Sequence, residues 1–77
     1  MNDLSNKITI EAALYLGPAA RVFLVRQTKI HMNGLAFDSI EKRHCPELAK
    51  WVYFASALLI DKEKAKELSV KIFKMAL

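Results

Sequence analysis

The sequence predicts an all-α fold, a compact bundle of four or five short helices. Three observations carry this. No run shows the clean two-residue alternation of a half-buried strand. Apolar residues recur instead at spacings of three and four. The pairs Gly17-Pro18, Asn33-Gly34 and Cys45-Pro46 cut the chain into helix-length pieces.

Residues 1–8 are expected as a flexible N-terminal segment and residues 9–77 as one helical domain. Thr9 is a plausible N-cap for a first helix over 9–16, with Glu11 in its first turn. Gly17 suits the end of that helix and Pro18 the first turn of the next. The second helix runs from Pro18 to Met32 and stops at Asn33-Gly34, which tolerate left-handed backbone. A short third helix is expected over 38–44, capped by Asp38 or Ser39. The residue before Pro46 is pushed out of the helical region, so Cys45 interrupts the chain. A fourth helix spans 46–59, and Asp61 caps a fifth over 62–76.

The helices distribute their apolar groups differently. In the fifth, Ala65, Leu68, Ser69, Ile72, Phe73 and Ala76 share one face, and Lys62, Lys66, Lys71 and Lys74 lie away from it. In the second, Val22, Ala19, Ile30, Phe23, Ala20 and Leu24 cover an arc of about 200° at 100° per residue. Arg26, Gln27 and His31 fall inside that arc, while Arg21 projects from the polar side. A charge inside an apolar arc must pair, snorkel or reach a partner. His31, near the helix end, is read as a favourable dipole partner.

The fourth helix is the least ordinary. Its charges are Glu47 and Lys50 alone. Leu48, Val52, Ala55 and Leu59 form one face, and Trp51, Phe54 and Leu58 form another. Either the helix is wrapped on all sides, or Trp51, Phe54 and Leu58 are an exposed patch that docks on a partner or on a second copy. Tyr53 adds another aromatic to that patch or stands at its rim.

Size and composition bound the function. Seventy-seven residues make one domain, and 53% of them are apolar, more than one small core readily hides. A net charge of +4 is a mild basic bias, not a dense nucleic-acid footprint. The single cysteine, Cys45, cannot form an internal disulfide, which fits a reducing, cytoplasmic setting. No secretory leader is read at the start, and the longest apolar run, Trp51 to Ile60, is too short to cross a membrane.

No phosphate-cradling, dinucleotide or zinc-protease motif is present. His44 and Cys45 are adjacent, and adjacent side chains on a helix diverge, so they make a poor nucleophile–base pair. No enzymatic role, metal or cofactor is expected. A helix-turn-helix reading would use the second and third helices, but Asp38 and Glu41 sit where that motif meets phosphates.

The segment LYLGPAARVFLVRQT, residues 14–28, resembles an IGPIARVLVRRA-like stretch of a small helical domain. That domain is found at the C-terminal ends of bacterial signalling proteins, including kinases, cyclases and response regulators. Gly17, Pro18, Ala20, Arg21, Val22, Val25 and Arg26 match. Leu35 to Leu48 continues the likeness loosely, and Gln27, Thr28 and the aromatic fourth helix depart from it. The resemblance implies a non-catalytic regulatory module in bacterial signalling and adds weight to Arg21 and Arg26. The expected function is protein interaction, with a partner or as a homodimer, through Trp51, Phe54 and Leu58, with Arg21 or Arg26 supplying polar specificity. The alternative is a small DNA-binding regulator.

Overall fold

The computed structural model describes residues 2–77, and every regular element among them is helical. The α-helices are α1 (Asp3–Leu16), α2 (Ala20–His31), α3 (Cys45–Ser56) and α4 (Lys62–Lys74). A 3-10 turn at Gly17–Ala19 links the first two, so Asp3–His31 counts as one bent helical segment of 29 residues. The described residues therefore form three helical bodies, fewer than the four or five separate helices expected.

The domain begins earlier than residue 9. Asn2 caps α1: its side-chain oxygen accepts from Ser5 N at 2.7 Å, and its amide nitrogen donates to the Ile40 carbonyl at 2.8 Å. Residues 3–8 are helix rather than a flexible lead, and Met1 lies outside the described residues. The physical reason is a buried stripe. Leu4, Ile8 and Ala12 recur every four residues, with Ile8 and Ala12 fully buried, so packing stabilises the first turns. Thr9 is inside the helix, where its hydroxyl donates to the Ser5 carbonyl at 2.7 Å.

At Gly17 the backbone takes φ 63° and ψ −146°, a conformation that favours glycine. Pro18 follows at the start of the 3-10 turn, where its missing N–H costs nothing. The chain bends there and α2 packs on α1. Asn33 (φ 55°) and Gly34 (φ 73°) then end α2 as expected.

The third helix expected over 38–44 is absent. Two 3-10 turns, Phe37–Ser39 and Lys42–His44, flank an extended Ile40-Glu41. Phe37 and Ile40 are buried and three residues apart, the period of a 3-10 turn. Residues 41–44 are Glu, Lys, Arg and His, and offer no apolar face for an α-helix to bury. Cys45 is also different from expectation. It has helical φ −62° and ψ −39° and opens α3, with Pro46 in the first turn. Burial of Cys45 and the tolerance of first turns for proline outweigh the pre-proline bias.

Asp61 caps α4 as expected, its carboxylate accepting from Lys64 N at 2.8 Å. α3 and α4 pack most extensively of all pairs, helped by buried Ala49 and Ala65, and Ser69 Oγ donates to the Ala49 carbonyl at 2.9 Å. The core lies where all four helices converge. It is built on Ile8 from α1, Leu24 from α2, Phe37 and Ile40 from the linker, Leu48 and Val52 from α3, and Leu68 and Ile72 from α4.

Candidate protein interface

α3 is two-faced. Cys45, Leu48, Ala49, Val52 and Ser56 turn inward and are buried. On the opposite side Phe54 is 58% exposed, and Leu58, in the turn after the helix, is 87% exposed. A helix wrapped on all sides is thereby corrected. Leu59, grouped with the inner face by spacing, is exposed as well, because α3 ends at Ser56 and the following turn leaves the helical rotation.

Trp51 differs from its two neighbours. It is half-buried, with the His31 ring stacked on it at 4.2 Å between centroids and 11° between planes. Its indole N–H donates to Glu47 at 3.4 Å, and Lys50 Nζ lies 4.6 Å from the ring centroid. Phe54 stands 6.5 Å from Trp51 and 5.6 Å from Tyr53, centroid to centroid. The result is an aromatic strip, His31–Trp51–Phe54–Tyr53, that crosses from α2 along α3.

The strip borders a shallow groove between α3 and α4, lined by Lys50, Tyr53, Phe54, Lys66, Ser69 and Val70. Val70 is 40% exposed, and Phe73, one turn on, is 51% exposed. Phe73 was expected on the buried face of this helix. Burial follows Ala65, Leu68 and Ile72, which leaves residue 73 on the shoulder. Lys50 and Lys66 have no carboxylate partner among the described residues.

Neither arginine joins this surface. Arg21 Nη2 binds both carboxylate oxygens of Asp38 at 3.0 Å, tying α2 to the linker. Arg26 is exposed, and no hydrogen bond, ion pair or cation–π contact links it to Trp51, Phe54 or Leu58 among the described residues. Its surroundings correct the expected arc. α2 buries Ala20, Leu24, Gln27 and Thr28, while Val22 and Ile30 are exposed at 66% and 63%. Arg26 therefore lies on an outer stripe and needs no buried partner. The sequence reading missed the contributions of His31, Lys50, Lys66 and Val70. Their signal was weak, since His31 comes from α2 and Lys66 and Val70 from α4, and tertiary packing brings them to the aromatics of α3.

The groups with chemical potential are occupied elsewhere. His44 Nδ1 accepts from Glu41 N at 2.9 Å and closes a turn. Cys45 is buried, its thiol pushed up by burial and only partly drawn back by Lys42. On the far side of α4, the Lys71 ammonium is held above its ordinary value, chiefly by the Tyr15 hydroxyl and also by Glu11, 3.5 Å away. Tyr15 in turn donates to Glu67 at 3.3 Å. This cluster fastens α1 to α4. Among the described residues no group of three His, Cys, Asp or Glu side chains is placed to hold a metal ion.

No protein-family model matches the chain, and no curated protein or solved structure matches it. The likeness noted for residues 14–28 thus rests on those residues alone.

Proposed function

We propose that this chain is a non-catalytic interaction module that binds a protein partner or a second copy through the outer face of α3. One observation carries the reading: Phe54 and Leu58 are exposed while the core closes without them. Exposed aromatic and aliphatic anchors grouped on one face mark docking surfaces. Trp51 supports the patch from its edge, and neither Arg21 nor Arg26 contacts it among the described residues. A regulatory role in bacterial signalling is supported by residues 14–28, and a cytoplasmic setting by the lone unpaired Cys45.

Asp3–His31 is long and apolar enough, by length and composition, to cross a membrane. Its Ile8, Ala12, Ala20 and Leu24 pack into the common core, while only 22% of its most apolar stretch is buried there. The DNA-binding alternative needs a recognition helix after Asn33-Gly34. That segment forms 3-10 turns instead.

Light scattering across a concentration series tests the reading. A mass near twice 8.8 kDa that falls to the monomer value in a Phe54→Ser, Leu58→Ser variant supports self-association through this face. A dimer unaffected by both substitutions contradicts it.

A further inference from the structure

The groove beside the aromatic strip has a definite electrostatic character. Its floor is apolar, formed by Phe54, Val70 and the ring of Tyr53, and its polar rim carries Lys50 and Lys66. No carboxylate lines it, and neither lysine is paired among the described residues. Glu47, the acid nearest in sequence to Lys50, is already engaged by the indole of Trp51. The contrast with the hollow beside Leu14, Tyr15 and Ile60 is instructive. There Lys71 faces Glu11, and Tyr15 meets Glu67, so the charges are already balanced.

We infer that this groove receives an acidic amphipathic helix presented by another protein, with apolar side chains on Phe54 and Val70 and carboxylates facing Lys50 and Lys66. The inference rests on the proposed docking role of α3 and names the chemistry of its partner. The shape fits, because two packed helices leave a trough that accepts a third helix by its apolar stripe. The charge selects among occupants. In a two-fold pairing the patch meets a copy of itself, so two surfaces of the same positive sign approach each other. α4 makes this worse for a second copy, since it carries five lysines against two glutamates. An acidic partner reverses the sign of each contact and is steered toward the groove as it approaches.

The test uses the full chain and fluorescein-labelled synthetic helical peptides in an anisotropy titration at low salt. One peptide carries leucines at helical spacing with glutamates on its remaining faces. A second has every glutamate replaced by lysine, and a third keeps the glutamates but has alanine for leucine. The expected result is saturable binding of the first peptide alone. Lys50→Glu with Lys66→Glu, both exposed positions, turns two attractive contacts repulsive and weakens that binding by roughly tenfold or more. The same double variant gains affinity for the lysine peptide.

Equal binding of the glutamate and lysine peptides, lost together in Phe54→Ala, would overturn the charge inference and leave the docking face standing. Phe54-dependent dimerisation that the glutamate peptide does not displace would do the same in favour of a second copy. Preferential capture of a labelled single-stranded oligonucleotide at Lys50 and Lys66 would overturn it in favour of nucleic acid. Failure of all the leucine peptides and of self-association would remove the docking face itself.

Discussion

The imidazole of His31 lies flat on the indole of Trp51, with centroids 4.2 Å apart and planes 11° apart. This joins the last turn of α2 to the middle of α3, so Trp51 belongs partly to the fold. Trp51→Ala should lower stability by about 1–2 kcal/mol, and His31→Ala by roughly 0.5–1 kcal/mol. Urea unfolding followed by circular dichroism measures both. Trp51 is the single tryptophan, so the emission of His31→Ala should shift to the red as the ring meets water.

Arg21 Nη2 is shared between the two carboxylate oxygens of Asp38, with side chains 42% and 44% exposed. Solvent screening at that exposure limits the pair to about 1 kcal/mol or less. A double-mutant cycle of Arg21→Gln and Asp38→Asn should give a coupling of that size, smaller at high salt. Arg21→Gln should leave binding through Phe54 unchanged, because Arg21 serves the linker.

The folded state holds two protons more tightly than the unfolded chain. Cys45 is raised above its ordinary 9.0 and Lys71 above its ordinary 10.5. Their contribution is complete below pH 9.0 and is lost as the pH climbs through each raised value. Urea midpoints should therefore hold steady from neutrality and fall under alkaline conditions. Cys45→Ala should remove the earlier part of the fall, and Lys71→Met the later part. In the native chain the buried thiol should react slowly with Ellman's reagent and quickly in urea.

Asn2 bonds both Ser5 N and the Ile40 carbonyl, so it ties the chain start to the linker. Asn2→Ala should cost about 1 kcal/mol by thermal or urea unfolding. If residues 2–8 were a loose lead, the substitution would be silent.

Several of these features were legible in the sequence, and the reasons for the others are physical. Asp61, Asn33-Gly34 and Gly17-Pro18 mark element ends by local chemistry that needs no tertiary context. Asn2 has the same chemistry, but its value depends on a stripe, Leu4, Ile8 and Ala12, whose burial only packing decides. The rotation of α2 was hidden for a related reason. Gln27 and Thr28 are buried beside Leu24, and Thr28 satisfies its hydroxyl on the Val25 carbonyl at 3.1 Å. Thr28 bonds locally and so can face the core, whereas Gln27 is buried with its Oε1 unpartnered among the described residues; their burial turns Val22 and Ile30 outward and reverses the apparent arc. The patch itself was visible as surplus apolar spacing on α3. Its lysine rim was not, because Lys66 and Val70 come from α4 and reach it through tertiary packing.

The central claim is that Phe54 and Leu58 serve a surface and not the core. Chemical denaturation of the Phe54→Ala, Leu58→Ala double variant tests it most directly. The expected result is an unfolding free energy within about 0.5 kcal/mol of the native chain and an unchanged urea slope. A loss of about 3 kcal/mol or more, the cost of truncating buried side chains, would contradict the claim and assign both residues to the core.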